Sequence, residues 1–207
     1  MRAFQGAMMA LDYNHTNTVA GVDEAGRGPL AGPVVAAAVV LPEGSVIDGL
    51  NDSKKITEKA RERLYPTICE LAISYAVGVV TAQEIDEMNI LQATLTAMQR
   101  AVLALECDIT RVLVDGNQPP RLPFHTETVI KGDQKVGCIA AASIVAKVTR
   151  DRMMMELDQR YPQYGFSGHK GYGTKKHLLA LAEHGPCPVH RQSFAPVRRS
   201  SGVSGAV

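Results

Sequence analysis

Two adjacent carboxylates, Asp23 and Glu24, follow a short apolar run and come directly before a basic, glycine-rich turn. The apolar run, residues 18–22, is typical of a buried strand, so both acids are expected near a strand end. Carboxylate oxygens at such a position suit a hard divalent cation. A turn with the sequence Gly-Arg-Gly, residues 26–28, lets the backbone approach a phosphate or a sugar closely. This segment therefore predicts a metal site beside a phosphate or sugar contact.

The adjacency of Asp23 and Glu24 raises a geometric conflict. Neighbouring residues in a regular strand point to opposite faces, so an unbroken strand would not aim both carboxylates at one ion. Either one acid is structural, or the strand ends between them and the turn swings Glu24 back. Gly26 and Gly28 favour the second possibility because glycine accepts backbone angles that other residues avoid. We therefore expect the strand to end or bend at Glu24, although an isolated Asp-Glu pair is more often a solvated turn.

Two further acids could join this site. Asp115 ends the apolar run 111–114, where it is either a turn aspartate or a carboxylate at a strand end. It could reach the same ion as Asp23 if its strand lies beside 18–23. Asp133 precedes a long predicted helix, and an aspartate at that place is usually an N-cap. The residues alone therefore favour a structural role for Asp133.

The elements that must position these acids alternate between strands and helices. Strands are predicted near 18–23, 33–41, 72–80, 111–115 and 126–130, and helices near 57–70, 82–105, 134–160 and 174–184. This order predicts an α/β domain in which helices pack on a mixed sheet. We expect one domain over residues 18–199 with a helical C-terminal region, between a flexible segment 1–17 and a disordered tail 200–207.

Composition narrows the class of protein. The chain has 207 residues, enough for one sizeable core, and its four cysteines form no Cys-x-x-Cys pair, which is typical of reduced, mostly buried thiols in a cytoplasmic protein. We predict no signal peptide and no membrane-spanning run. Residues 169–207 carry six basic residues and one acidic residue, a net charge of +5. That segment is either a solvated surface or a polyanion-binding surface, and a neighbouring metal site favours the second.

Seven segments, read together, resemble the ribonuclease HII family closely. They are DEAGRGPLAGP (23–33), NDSKK (51–55), DGN (115–117), KGD (131–133), AASIVAKVTRD (141–151), HKGYGT (169–174) and HRQSF (190–194). They occur in the family's order and cover about residues 18 to 200. The resemblance implies an RNase H-like fold, a divalent metal and hydrolysis of RNA strands that are paired with DNA.

The resemblance also implies roles for the four acids. Asp23, Glu24 and Asp115 match the family's metal-binding carboxylates, and Asp133 matches its fourth active-site carboxylate, which overrides the N-cap interpretation. Phosphodiester hydrolysis requires an activated water and a stabilised leaving oxygen, and two Mg²⁺ or Mn²⁺ ions about 4 Å apart can supply both. Oxygen ligands suit those ions better than thiols or imidazoles do.

Substrate recognition is expected to fall on two elements. Gly26, Arg27 and Gly28 match the family's segment that senses the ribose 2′-hydroxyl through backbone contacts, and Tyr172 matches the tyrosine that recognises the junction between ribonucleotide and deoxyribonucleotide. The 2′-hydroxyl is the local chemical feature that separates ribose from deoxyribose. A tyrosine ring can stack on a sugar or a base as a rigid platform.

Four more side chains are expected to contact substrate. Ser53 and Lys54 lie in a loop and are either an N-cap serine with a solvated lysine or phosphate ligands; the resemblance favours phosphate binding. Ser143 and Lys147 are four residues apart on a predicted helix, so they lie along one face. That face either packs closely on the sheet or presents both side chains to a substrate phosphate.

We therefore expect a cytoplasmic, monomeric endoribonuclease without a membrane partner. It would cut RNA in RNA–DNA hybrids and at single ribonucleotides embedded in duplex DNA, leaving a 3′-hydroxyl and a 5′-phosphate. The related ribonuclease HIII family has an additional N-terminal domain, and the roughly seventeen residues before Thr18 argue against that family. Two different functions would fit parts of the sequence: a non-catalytic module that binds hybrids, which would need no set of four acids, and a small-molecule phosphatase, which would not explain Tyr172.

Overall fold

A mixed five-stranded sheet forms the centre of the fold in the computed structural model, which describes residues 18–50 and 56–200. The strands are β1 (Val19–Ala25), β2 (Val34–Val40), β3 (Ser74–Val80), β4 (Arg111–Asp115) and β5 (His125–Val129). Their order across the sheet is β3-β2-β1-β4-β5. β1 is antiparallel to β2 and parallel to β4, and β4 is parallel to β5. The predicted α/β class with a mixed sheet is therefore confirmed.

Helices cover both faces of the sheet and form the C-terminal region. They are α1 (Glu58–Leu71), α2 (Ala82–Met88), α3 (Ile90–Leu103), α4 (Gly137–Arg160), α5 (Phe166–His169), α6 (Lys175–His184) and α7 (Ala195–Ser200). α3 packs on one face, where Ala20 and Val22 of β1 belong to its core. α4 packs on the other face, together with α1. Every residue of β2 is buried, as expected for a strand that is covered on both faces.

A single residue, Asn89, divides the helix that was predicted over 82–105. Its φ of 74° ends α2, and its side chain then accepts hydrogen bonds from the N–H groups of Leu91 and Gln92 at the start of α3. Asparagine tolerates a positive φ and is a good N-cap, so one residue both stops one helix and begins the next. The capping box predicted at Thr81 and Glu84 is present at the start of α2.

Two other differences from the predicted elements concern short segments. α4 begins at Gly137, three residues later than predicted, because residues 132–134 form a 3₁₀ turn first. α5 and α7 were not predicted, since four and six residues are too few to produce a helical repeat of apolar positions. Ser200, which was assigned to the tail, is the last residue of α7. The predicted flexible segment 1–17 lies outside the described residues.

All four cysteines carry free thiols; Cys187 is buried, whereas Cys69, Cys107 and Cys138 are half-buried, so the expectation of mostly buried thiols is wrong. Burial raises the pKa of the Cys138 and Cys187 thiols, which disfavours the reactive thiolate. Within the described ranges, no helix combines the length and the apolar character that a membrane span requires.

Close packing of α4 on β1 depends on Gly21. A Cβ atom at this position would overlap the backbone of Cys138 and Ile139 in α4. Glycine therefore lets the helix lie directly on the strand, two residues before Asp23. The same contact sets the distance between Asp23 and the side chains of α4.

We predict that Gly21→Ala lowers the free energy of unfolding by about 1–3 kcal/mol or more, because backbone on the far side of the contact has to move. Gly137→Ala is a matched control, since a Cβ there meets no atom within 4 Å; it should leave stability unchanged or raise it by up to about 1 kcal/mol. Urea unfolding of both variants measures the difference. Equal stabilities would contradict the role assigned to Gly21.

Candidate active site

Parallel pairing of β1 and β4 brings Asp23 and Asp115 to the same edge of the sheet. Val22 lies opposite Val114 in this pairing, so the next residues, Asp23 and Asp115, lie side by side where the pairing of the two strands stops. The condition for Asp115 to join the site was that its strand should lie beside β1. The structure meets that condition.

A backbone contact joins the Asp133 segment to Asp115. The N–H of Gly132 donates to Asp115 Oδ1 at 2.6 Å. A side chain at position 132 would collide with Ile139, so glycine allows this approach. Asp133 is buried in the 3₁₀ turn, whereas the N-cap position of α4 is Val136. Asp133 is therefore not the cap of that helix.

The strand that carries Asp23 and Glu24 continues past both residues. Glu24 and Ala25 pair with residues of β2 in unbroken register, and the turn begins at Gly26, whose φ is 98°. The expectation that the strand ends or bends at Glu24 is therefore wrong. Hydrogen bonds to the fully buried β2 keep the strand regular, and glycine bends the chain only after it.

Because β1 stays regular, its two acids lie on opposite faces of the sheet. Asp23 faces α4, where the Ser143 hydroxyl donates a hydrogen bond to its carboxylate. Glu24 faces α3 and lines a small cavity of about 40 Å³ together with Thr94 and Asp115. The acids therefore meet near the C-terminal end of β1, where they approach from both faces of the sheet.

Burial and repulsion dominate the electrostatics of Asp23, which is only 3% exposed. Burial, followed by the charges of Glu24 and Asp115, holds the pKa of the Asp23 carboxyl well above its usual range. The N–H of Glu24, which donates to Asp23 Oδ1 at 2.7 Å, and the Ser143 hydroxyl offset part of this shift. Three carboxylates thus interact unfavourably at one edge of the sheet.

This donor set fits a hard divalent cation in its chemistry, because all the candidate ligand atoms are carboxylate oxygens and their repulsion would be relieved by positive charge. Across residues 18–50 and 56–200, no three His, Cys, Asp or Glu side chains are arranged to hold a metal ion as they stand. One oxygen each of Asp23 and Asp115 accepts a backbone N–H. Binding would therefore require side-chain movements that bring the acids together.

A larger cavity of about 460 Å³ opens beside Glu24. Its walls contain five of the predicted recognition residues, Gly26, Arg27, Gly28, Lys147 and Tyr172, together with Glu24, Ala25 and Arg150. Tyr172 is 47% exposed, and a Cβ at Gly28 would lie 3.5 Å from its ring. The Gly-Arg-Gly turn and the tyrosine therefore face each other across a space next to the acids.

The two predicted side chains of α4 are placed differently. Ser143 is buried and donates its hydrogen bond to Asp23. It therefore supports the acid and does not line the cavity. Lys147 does line the cavity, but its Nζ lies 2.7 Å from Asp151 Oδ1. Burial lowers the pKa of Lys147, and the ion pair with Asp151 opposes that shift.

The structure describes only some of the other residues that were predicted to contact phosphate. Ser53 and Lys54 lie outside the described residues, so their phosphate contacts stay predictions. In the basic C-terminal segment, four residues face solvent: Lys175, Lys176, Arg198 and Arg199. Arg191 does not, since it is fully buried.

Arg150 and Arg191 are the residues that sequence reasoning undervalued. Both are buried, and both donate hydrogen bonds to backbone carbonyls around the Gly-Arg-Gly turn. Charge patterning assigns an arginine to the surface, and nothing in the spacing of Arg191 contradicts that. The available signal was its place in the segment HRQSF, which belongs to the family resemblance.

We predict that Asp23→Asn stabilises the protein at neutral pH when a chelator is present. A raised pKa means that the folded state binds the proton more tightly than the unfolded state, so the ionised carboxylate destabilises the fold above that pKa. The asparagine variant should be more stable than the unmodified protein at pH 7, and its advantage should shrink as the pH falls toward the ordinary pKa of aspartate, about 4.

Thermal and urea unfolding at several pH values measure this effect, with Asp48→Asn, at an exposed turn position, as the matched control. An asparagine variant that is no more stable than the unmodified protein at pH 7 would show that Asp23 carries no unfavourable charge.

Comparison with known proteins identifies the family of this chain. The model of the family described as Ribonuclease HII matches residues 20–197. Ribonuclease HII of Acidovorax sp. is 58% identical over 191 residues, which are 92% of this chain and 91% of that protein. Ribonuclease HII 1 of Methylibium petroleiphilum is 55% identical over 184 residues, covering 89% and 93%.

The fold also agrees with a solved structure. Ribonuclease H2 from Pyrococcus horikoshii superimposes with a TM-score of 0.75 at 30% identity, covering 89% of this chain and 97% of that one. With the family match over nearly the whole described domain, the chain belongs to the ribonuclease HII family and is a ribonuclease H, a hydrolase that cleaves RNA in RNA–DNA hybrids.

Proposed function

We propose that this ribonuclease H cleaves with a site built from Asp23, Glu24, Asp115 and Asp133, and that Mg²⁺ or Mn²⁺ is its cofactor. The observation that carries the proposal is that three of these carboxylates meet near the C-terminal ends of β1 and β4. The fourth, Asp133, directly follows Gly132, whose N–H donates a hydrogen bond to Asp115. Four carboxylates around two divalent cations would nearly balance in charge before a phosphate arrives. Bound metal would supply an activated water and stabilise the leaving oxygen.

The protein's own contribution to this chemistry is orientation. Asp115 is fixed by the N–H of Gly132, and Asp23 is fixed by the N–H of Glu24 and by Ser143. Glu24 lines both the small cavity shared with Asp115 and the larger cavity beside it. It therefore connects the acidic edge with the space in which a nucleotide would lie.

The turn of residues 26–28, which we call the sugar-reading turn, would detect the ribose. Gly26 has a positive φ and is packed against Arg150, so its backbone can approach a sugar without an intervening side chain. A deoxyribose would leave the polar groups of the turn unpaired, and buried unpaired groups give strong discrimination. The exposed ring of Tyr172, opposite Gly28, would stack on the neighbouring sugar or base.

From this arrangement we infer the substrates and products. A single 2′-hydroxyl, read by one turn and followed by a stacking platform, is sufficient to mark a ribonucleotide embedded in duplex DNA, in addition to RNA in long hybrids. Hydrolysis at that position would leave a 3′-hydroxyl and a 5′-phosphate. We also propose that one chain is sufficient, because a single chain provides all the walls of the cavity.

Asp23→Asn tests the catalytic assignment. We expect cleavage of an RNA–DNA hybrid in Mg²⁺ or Mn²⁺ to fall by about 10³-fold or more, because a neutral amide is a poor ligand for a hard cation. The melting temperature of the unmodified protein should also rise on addition of Mn²⁺, and that rise should be smaller in the variant.

Asp48→Asn serves again as the control and should keep both activity and the shift in melting temperature. If Asp23→Asn cleaves the hybrid at the unmodified rate, the assignment of the carboxylates is wrong.

Two duplexes that differ by one hydroxyl test the substrate assignment. We expect a DNA duplex containing one ribonucleotide to be cut beside that ribonucleotide, and the all-DNA duplex to stay intact. Gel analysis of end-labelled strands gives both the position and the ends.

Equal cutting of the two duplexes would contradict recognition of the sugar. No cutting of either duplex would contradict the proposed cleavage at single ribonucleotides.

A further inference from the structure

We propose that Arg191 and Arg150 are positioning residues that hold the sugar-reading turn and Tyr172 at a fixed separation. The proposal rests on the proposed function, because it assigns to these arginines the geometry on which sugar recognition depends. Neither side chain needs to contact the substrate for this role.

Arg191 joins the sugar-reading turn to the segment that follows it. Its Nη2 donates to Gly26 O at 2.5 Å, and its Nη1 donates to Arg27 O at 2.9 Å. Nε and Nη2 also donate to Gly32 O at 3.1 and 3.0 Å. The planar guanidinium group of Arg191 thus fixes the carbonyls of Gly26 and Arg27 relative to that of Gly32.

Arg150 continues this connection to the other wall of the cavity. Its Nε donates to Pro33 O at 3.0 Å, and its Nη2 donates to Ala31 O at 3.3 Å. Its Nη1 donates to Lys170 O at 3.1 Å, two residues before Tyr172. The two guanidinium groups therefore link the turn, residues 31–33 and the tyrosine segment through backbone carbonyls.

The burial of these two charges indicates a role beyond packing. Burial lowers the pKa of Arg191 to about 9 and that of Arg150 to about 10, so both remain protonated at neutral pH. In the part of the chain that the structure describes, the hydrogen bonds donated by both side chains end on backbone carbonyls. A buried charge is costly unless its hydrogen bonds are satisfied, and here the bonds that satisfy both charges are the ones that join the turn, residues 31–33 and the tyrosine segment.

Asp86 secures Arg191 from outside the core. This residue of α2 accepts hydrogen bonds from the N–H groups of Gln192 and Ser193 at 2.8 and 2.9 Å. The loop that carries Arg191 is therefore anchored to α2. Loosening that anchor should disturb the turn while every buried side chain is kept, although replacement of Asp86 also removes a negative charge that raises the pKa of Arg191.

Lysine cannot replace the arginine here, because an ammonium group is a single point and cannot reproduce the planar fork that spans Gly26, Arg27 and Gly32. In Arg191→Lys the turn should lose its fixed position while the charge is kept. A misplacement of about 1 Å can cost about 10²-fold in rate, even when the reacting groups are intact.

The decisive experiment compares two duplexes in each variant, one with a single ribonucleotide and one with the 2′-fluoro nucleotide at the same position. Fluorine cannot donate a hydrogen bond and accepts one only poorly, so the ratio of the two kcat/KM values measures how well the hydroxyl is read. We expect a ratio of about 10⁴ for the unmodified enzyme. Arg191→Lys should lower kcat on the ribonucleotide duplex by about 10²-fold and reduce the ratio by at least about tenfold.

The ratio separates positioning from a merely structural role, since a loss of folded enzyme slows both duplexes equally. Equal loss on the two substrates, or unchanged rates, would overturn the proposal. A ratio near one in the unmodified enzyme would instead overturn the proposed reading of the sugar. The two failures are therefore distinguishable.

Asp86→Ala is the second variant, and it keeps the test decisive if Arg191→Lys does not fold. It should lower the ratio by about threefold or more through the loosened loop, and an unchanged ratio would count against the proposal. Arg198→Lys, the same substitution on an exposed face of α7, and Ile68→Val, a core change in α1, are the controls. Both should keep the ratio of the unmodified enzyme.

Discussion

Repulsion of the buried Asp23 carboxylate by the half-buried Glu24 and Asp115 is the constraint on which the rest of the structure depends. Asp23 is almost fully buried beside the charges of Glu24 and Asp115, and its raised pKa reflects that burial and those charges. A fold keeps such a cluster only if stronger interactions surround it. Here the surroundings are the fully buried β2 on one side, the parallel pairing with β4 on the other, and α4 lying directly on Gly21.

The regular strand gives this cluster a particular shape. Because β1 does not bend at Glu24, the adjacent acids lie on opposite faces of the sheet. The site must therefore include both faces at the C-terminal end of β1. Asp23 is then supported by Ser143 from the α4 side, whereas Glu24 lies between the Asp115 cavity and the larger cavity with Tyr172. The conflict between neighbouring carboxylates is thus resolved by using the edge of the sheet, and no strand break is needed.

Much of the fold and part of the candidate site could be predicted from the local pattern of apolar and polar residues. The apolar runs before Asp23 and Asp115 predicted two strand ends, and a mixed α/β sheet made their meeting plausible. Asp133 required the family resemblance, because an aspartate before a helix is usually its cap and local pattern cannot show that a 3₁₀ turn intervenes. Arg191 was assigned to a basic surface because charge patterning has no means of identifying a buried cation whose partners are carbonyls more than 150 residues away. Asn89 was overlooked because the apolar repeat continues across it.

The sugar-reading turn lies between a cluster of negative carboxylates and the positive side chain of Arg191. On its N-terminal side it is covalently continuous with Glu24 and the carboxylates, and on its other side its carbonyls accept hydrogen bonds from Arg191. A sugar that fails to fit would displace the turn, and because only Ala25 separates Glu24 from Gly26, the displacement would reach the acid. Discrimination would then appear mainly in the rate of the chemical step, since the correct sugar is needed to align the carboxylates in the transition state. Affinity for the duplex, which depends on phosphate contacts common to every sequence, would change much less.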